Sequence, residues 1–594
     1  GTMSRSGALQ NPDILFHIFT AFYRTGWEYD HGPFETNYTR GLHPLAAVSR
    51  AWRHAAMDHF LLKHLTLEVT KPPRRGRHAG YFQQLFAQPP PVLRNMGPYG
   101  HVKTNDALLV YHTNAHVIPH ANNRATSLYI YLGNNVTTND LLTALEQIGF
   151  ERYRLPEVTA LSLVTDRMYV PGVANDSAIR EPLYHKLNSI GVAVDWIFRM
   201  APRISSVKLG SRSKLPYPMQ IPLQASIMDN VAQLSRLEIS NQFCSFTIPP
   251  LFPPLAVLSI CPVHHTLNFV LAKIAPGCLQ KLRLYQINPR HFIETIGAAD
   301  TDDTVVFPEL VSLDLQFTAV STGAGQEDIP SHWHRGSRGN SSAPGCQSPL
   351  HFPKLRIVYI HNYYYDISGI FPCFQQSPLH TLHFSTHPWV YLNAGIHRLT
   401  QLRRIWLTFE TRLPRALPDD FFRPLFEMRS TALTDLTFYS SLNIVTTPLT
   451  HMLLGHLRTL DLDIRLGYDQ IIGFMRQLPF LVNLRFILDI ATVDRTSPAL
   501  ELFQKDLAPC SRSVQHMVVV FSPIVTDLEN EPSSLAVLDN MLLLTAHMPC
   551  LGRLRTSFSA ALFKSHLRRA MSVRQFASKG AHLLLLKYTC RKEC

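Results

Sequence analysis

A spaced apolar triplet, LxxLxL, returns along nearly the whole chain and narrows its possible architectures more than anything else in it. It stands at Leu62/Leu65/Leu67, Val158/Leu161/Leu163, Ile204/Val207/Leu209, Leu234/Leu237/Ile239, Leu255/Leu258/Ile260 and Leu279/Leu282/Leu284. It continues at Leu310/Leu313/Leu315, Leu355/Val358/Ile360, Leu379/Leu382/Phe384, Leu402/Ile405/Leu407, Leu433/Leu436/Phe438 and Leu457/Leu460/Leu462. The last copies are Leu481/Leu484/Phe486, Val514/Met517/Val519 and Leu583/Leu586/Tyr588, with weaker ones at Ala125/Leu128/Ile130 and Leu551/Leu554/Thr556. Several successive copies are 23 or 24 residues apart. In a short strand of period two, the fourth and sixth positions point to one side and the first arrives from the preceding turn. Each copy then has an apolar edge that it can bury only against a neighbour, which is the condition for a stacked repeat array. Between copies the apolar residues take helical spacing, as in Leu267, Val270, Leu271 and Ile274, or Ile471, Ile472, Met475 and Leu478. Each unit therefore reads as strand, turn, helix.

These triplets resemble the leucine-rich-repeat family, in its irregular form. The asparagine of an LxxLxLxxN continuation is mostly missing: Gln242 and Thr318 occupy that place in two copies. The resemblance covers residues 125–590 and implies an α/β solenoid, a curved parallel sheet with helices outside. Residues 63–124 read as a linker with irregular first repeats. Residues 321–349, rich in Gly, Ser and Pro, read as a mobile loop on one repeat. Residues 591–594 form a C-terminal tail, and residues 1–10 read as a flexible N-terminus in which Gly1 and Thr2, ahead of Met3, are a tag remnant.

The N-terminal segment, residues 11–62, has a different pattern. Pro12 and Asp13 open an apolar stripe of Ile14, Leu15, Ile18, Phe19 and Phe22, as expected of an amphipathic helix with Pro in its first turn. Residues 42–62 carry a second stripe, Leu45, Val48, Trp52, Ala55, Ala56 and Phe60. The segments NPDILFHIF at 11–19 and LAAVSRAWRHAA at 45–56 resemble the F-box, separated here by an insertion over residues 23–41. The resemblance implies a small all-α module that docks on a Skp-type adaptor through Pro12, Ile14, Leu15, Ile18 and Val48, with Trp52 in its core. The alternative is that these helices only cap the end of the array, as terminal repeats require.

The 594 residues are about twice the roughly 250–300 at which one core stops growing, which suits an array. Charged residues are 17% of the chain, too few for wholesale disorder. No apolar run is long enough to span a bilayer, and no signal-peptide pattern is present, so no membrane association is expected. Nine scattered cysteines lack the density of a disulfide framework, which fits a cytoplasmic or nuclear location. Catalytic signatures are absent: there is no GxxxxGK[ST], GxSxG, HExxH or CxxC, so no enzyme activity and no cofactor is expected. His112, His116 and His120 lie four apart, but Asn114, Pro119, Asn122 and Asn123 make that stretch turn-like, and no metal site is expected.

The 56 Lys and Arg against 43 Asp and Glu leave a net charge of +13, which favours acidic or phosphorylated partners. From Arg553 onward ten basic residues face a single acid, Glu593, either as an anion-binding end of the array or as a solvated helix face. A second basic cluster, Lys71, Arg74, Arg75 and Arg77, is either a nuclear signal or nucleic-acid patch or, beside Pro72 and Pro73, a linker, which is the favoured reading. Few aromatics are interleaved with the C-terminal basic residues, so nucleic acid is the less favoured partner.

Taken together, the two resemblances imply a non-catalytic substrate-recognition subunit of an SCF-type ubiquitin ligase, acting in the ubiquitin-like conjugation pathway with a Skp-type adaptor and a cullin complex. The alternative is a repeat scaffold without a ligase role. In a repeat strand the side chains between the buried ones face outward and carry recognition. On the concave face these would be Arg236, Glu238, Arg283, Tyr285, Tyr359, His361, His383, Trp406, Thr437, Tyr439, Asp461, Asp463 and Arg485.

Overall fold

The computed structural model describes the repeat strands between residues 64 and 590, the turns leading into them, parts of the connecting helices, and Asn11, Ile14, Leu15, Ser49 and Trp52 near the N-terminus. The 321–349 loop, the 71–77 basic cluster, the 591–594 tail, Pro12, Ile18 and Val48 lie outside the described residues. The chain divides into two compact units, Gly1–Gln286 and Ile287–Cys594, a division inside the 125–590 span.

In the first unit, strands β1 (His64–Thr70), β4 (Ser127–Leu132), β5 (Ala160–Thr165), β6 (Ser206–Ser211), β7 (Arg236–Ile239), β8 (Val257–Ile260) and β9 (Lys281–Ile287) form a parallel ladder in that order. Strands β2 (Gly100–Lys103) and β3 (Leu109–His112) add an antiparallel pair on the free side of β1. Residues read as linker thus contribute three strands, and β1 pairs directly with β4. Covering that edge removes a row of unpaired backbone groups. His112 ends β3, so the histidine series begins on a strand and not on a helix.

The second unit repeats the parallel ladder with β11 (Ser312–Phe317), β13 (Ile357–Asn362), β14 (Thr381–Thr386), β15 (Arg404–Phe409) and β16 (Asp435–Ser440). It continues through β17 (Thr459–Leu466), β18 (Asn483–Asp489), β19 (His516–Ser522), β20 (Arg553–Thr556) and β21 (Lys587–Cys590). The short strands β10 (Val305–Val306) and β12 (Leu350–His351) pair separately. Parallel strands joined by crossovers make this an α/β fold, and its order follows the sequence repeat by repeat.

The leucine triplets explain the ladder. In every described copy from Ala125/Leu128/Ile130 to Leu551/Leu554/Thr556, all three side chains are at most 3% exposed. Their central residues are aligned across neighbouring strands, from Leu313 through Val358, Leu382, Ile405, Leu436, Leu460, Leu484 and Met517 to Leu554. A one-residue slip would turn every one of them to the other face, so burial fixes the register. The final copy is corrected by that register: Leu554 aligns with Tyr588 and Thr556 with Cys590, so Tyr588 and not Leu586 holds the central position there. The inward row also extends two residues further than the triplet, through Phe317, Asn362, Thr386, Phe409 and Leu488, all buried.

A turn signal accompanies the triplets. Leu155-Pro156-Glu157-Val158, Ala201-Pro202-Arg203-Ile204, Phe307-Pro308-Glu309-Leu310, Phe352-Pro353-Lys354-Leu355, Leu478-Pro479-Phe480-Leu481 and Met548-Pro549-Cys550-Leu551 each make a four-residue turn closed by a hydrogen bond from the last N–H to the first carbonyl. Proline holds the second position at the φ such a turn requires. The first residue of each turn is buried, and two of them, Phe307 and Phe352, enter an aromatic spine with Phe374, Phe371 and Phe384 in successive ring contact at 5.3 to 6.1 Å.

Among the described residues, helix spans Thr138–Gln147 and residues 191–200, each burying an i, i+3, i+4 stripe, Leu141/Ala144/Leu145 and Val194/Ile197/Phe198. Short helical turns are described at Pro276–Cys278, Phe371–Phe374 and Ile396–Arg398. No helix among the described residues is long and apolar enough to cross a membrane.

Candidate functional site

With the fourth and sixth positions inside, the third, fifth and seventh face outward, and the register sets them in rows across the strands. In the second unit the fifth-position row runs Tyr359, His383, Trp406, Thr437, Asp461 and Arg485 on β13 to β18, and the seventh-position row includes His361, Tyr439 and Asp463. These residues, all singled out from sequence, thereby come together in one continuous arrangement.

Four of them stack ring on ring. Tyr359 and His383 have centroids 4.4 Å apart at 26°, His383 and Trp406 5.0 Å apart at 30°, and Trp406 and Tyr439 5.7 Å apart at 29°. Thr437 lies directly opposite Trp406 and is too small to stack, so the indole reaches the diagonal neighbour Tyr439. Trp406 remains 42% exposed. Offset stacks of this kind add about 0.5–1.5 kcal/mol per pair beyond area burial.

The row ends in charge. The Arg485 guanidinium lies over the Tyr439 ring, 5.4 Å from its centroid, and donates to Asp461 Oδ1 at 2.7 Å. It also approaches Asp463 Oδ1 at 3.5 Å, and Tyr439 Oη donates to Asp461 Oδ2 at 3.3 Å. Four positions of β17 between Asp461 and Arg465 span two of β18, a register irregularity that begins beside this cluster. Such irregularities re-aim side chains locally.

The surroundings shift the titrating groups. Burial between two rings, then the neighbouring His361, lowers His383 to about 4, so it is neutral at physiological pH. Burial and then the Asp461 charge raise the Tyr439 hydroxyl above its ordinary value. Burial opposes the charge of Arg485, but Asp461 and its hydrogen bond raise the guanidinium further, keeping it fully charged.

The first unit holds the remaining candidates in smaller groups. Arg236 Nε and Glu238 Oε1 are 2.6 Å apart on β7. Arg283 donates to Tyr285 Oη at 3.3 Å on β9 and lies 6.0 Å from that ring's centroid. Among the described residues, no three His, Cys, Asp or Glu side chains come together as a metal site.

The N-terminal positions are partly described. Leu15 is helical, donates its N–H to the Asn11 carbonyl at 3.0 Å and is 1% exposed, whereas Ile14 beside it is 37% exposed. Ser49 stands outside a helix and its Oγ accepts the Trp52 N–H at 3.2 Å, an N-cap arrangement, so a helix starts within the 42–62 stripe. At the C-terminal end, Arg553 and Arg555 are exposed on β20, and Lys564 and Arg568 are exposed helical residues beside the buried Leu567.

The sequence reading missed the basic residues at the strand starts, Arg356, His380, Arg403, Arg404 and Arg458. Their signal was present: each stands one or two positions after the first leucine of its triplet. Compared with known proteins, the sequence matches no family model and no curated protein.

Proposed function

We propose that this chain is a non-catalytic substrate-recognition subunit of an SCF-type ubiquitin ligase, which binds a protein substrate on the outward rows of its repeat sheet and a Skp-type adaptor through its N-terminal helices. The observation that carries the binding half is the row from Tyr359 to Arg485. It sets aromatic edges and a charged cluster on an open sheet face at fixed register. The aligned backbone holds these side chains in place before any ligand arrives, so little ordering entropy opposes binding. The adaptor half rests on the NPDILFHIF and LAAVSRAWRHAA segments and on the exposed Ile14. Ubiquitin transfer itself would fall to other subunits.

Co-purification with a Skp-type adaptor tests this reading. Ile14→Asp should abolish capture while leaving the fold intact, since that side chain is exposed; Leu15→Asp would unfold the segment and is uninformative. Capture that is unchanged by Ile14→Asp combined with Pro12→Ala, or no capture by the native chain, overturns the ligase role and leaves the repeat scaffold. Trp406→Ala should reduce recovery of bound polypeptides from a native extract without affecting adaptor capture.

A further inference from the structure

A basic row crosses the strand starts, three positions ahead of the aromatic one. The residues that immediately precede β13, β14, β15 and β17 are Arg356, His380, Arg403 and Arg458, with Thr434 before β16. The backbone holds them side by side. The Arg356 carbonyl accepts the N–H groups of His380 and Thr381 at 2.9 and 3.0 Å, and the His380 carbonyl those of Arg403 and Arg404, both at 2.9 Å. The pattern continues from the Arg403 carbonyl to Thr434 and Asp435, and from the Thr434 carbonyl to Arg458 and Thr459.

Arg356, Arg403, Arg404 and Arg458 are exposed. Arg404 alone has a carboxylate near, Asp435 at 3.5 Å; among the described residues Arg356, Arg403 and Arg458 have none in ion-pair range. Over β13 to β15 and the residues leading into them from Leu355, Leu379 and Leu402, the sequence has no Asp or Glu. The local field is therefore positive, and it acts on His380: burial, then Arg403, then Arg356, lowers its pKa.

We propose that this face of the second unit binds an extended acidic polypeptide segment laid across the strands, its Asp and Glu carboxylates on Arg356, Arg403, Arg404 and Arg458 and its other side chains on the edges of the Tyr359-to-Tyr439 rings. As the substrate class of the receptor this rests on the function proposed above; as a binding surface it stands on the two rows. Strands about 4.8 Å apart place β13 and β17 about 19 Å from each other, the reach of about six extended residues. Arg forks match carboxylates bidentately.

The same two rows do not suit single-stranded nucleic acid. A base inserted between two rings requires them to be about 6.8 Å apart, twice the roughly 3.4 Å stacking step. The rings here are 4.4 to 5.7 Å apart and already stacked on one another, so no base enters between them. Ring edges carry the positive side of the quadrupole and favour oxygen ligands.

The test uses the full chain and a fluorescein-labelled octapeptide of alternating glutamate and leucine, read by anisotropy. The controls are the glutamine-leucine octapeptide and a labelled oligouridine. The glutamate probe should bind, more weakly as salt rises, and Arg356→Glu with Arg403→Glu should weaken it about tenfold, as expected from losing two exposed charge contacts. Arg553→Glu with Arg555→Glu, at the C-terminal basic end, should leave it within about twofold. Equal binding of the glutamine probe, loss carried by the Arg553/Arg555 variant instead, or tighter binding of oligouridine than of the glutamate probe each overturns the proposal. Adaptor capture measured on the same proteins separates the two readings. If it fails while the glutamate probe binds as described, the ligase role falls and the acidic-segment site stands.

Discussion

Replacing Leu460 by alanine tests whether the stacked leucines are what holds the array together. Leu460 is the fourth-position residue of β17, 0% exposed, and aligned with Leu436 on one side and Leu484 on the other. Three carbons leave the core, worth about 2.4 kcal/mol at about 0.8 kcal/mol each. The side chains around them belong to strands pinned on both sides and can close the gap only in part, so the cavity brings the total to about 3–4 kcal/mol. Trp406→Ala is the comparison. Its side chain is larger but 42% exposed, and it forfeits chiefly two ring contacts, about 1–3 kcal/mol. Urea unfolding followed by far-UV circular dichroism measures both. Hydrogen exchange then locates the loss: in an array whose stability is a sum of nearest-neighbour terms, amides of β16 to β18 should exchange about a hundredfold faster while β4 to β6 keep their rates. A cost below about 1 kcal/mol for Leu460→Ala, or a larger cost for Trp406→Ala, would refute the inward leucine rows as the main source of cohesion.

Other substitutions probe the outward rows and the turns. The Arg485–Asp461 contact is partly buried on both sides, and a double-mutant cycle of Arg485→Met and Asp461→Ala should give a coupling of about 1 kcal/mol; additive losses would show the pair to be incidental. His383 holds its proton only below about pH 4 in the folded chain, whereas the unfolded chain takes one up near its usual value of 6.5. Unfolding therefore binds a proton between those values, and the stability is full above the upper one and declines as pH falls toward the lower. His383→Phe, which keeps the stack, should flatten that part of the urea midpoint against pH, and an unchanged slope would remove His383 as its cause. Pro353→Ala should cost about 0.4–1 kcal/mol through the entropy of the unfolded chain, and a stabilised variant would contradict the turn assignment.

The repeat itself was legible from sequence because its chemistry is local. A triplet with nothing to bury against is unstable alone, so its recurrence already implies neighbours, and in every described copy those side chains are inside. The frame failed where leucines ran together. Residues 583–586 are four consecutive leucines, and only the backbone pairing of β20 with β21 shows that Tyr588, opposite Leu554, holds the central position of that copy. The proline turns were equally local and went unread, although Leu155-Pro156 and Phe307-Pro308 each stand immediately before a triplet.

Which side of each strand is buried follows from the residues alone, because a period of two leaves no choice once the leucines are placed. It follows equally that Tyr359, His383, Trp406, Tyr439, Asp461, Asp463 and Arg485 face outward. Which of these side chains meet is settled only by the pairing of strands in space. Stacking depends on lateral register between strands some 23 to 31 residues apart and on the small Thr437 that sends Trp406 to the diagonal Tyr439. The alignment of Arg356, His380 and Arg403 into one basic row likewise arises from carbonyls that each accept two N–H groups of the next strand. Pairing between distant segments leaves no trace in the local pattern, since the same residues at the same spacing would serve any register that kept the leucines inside.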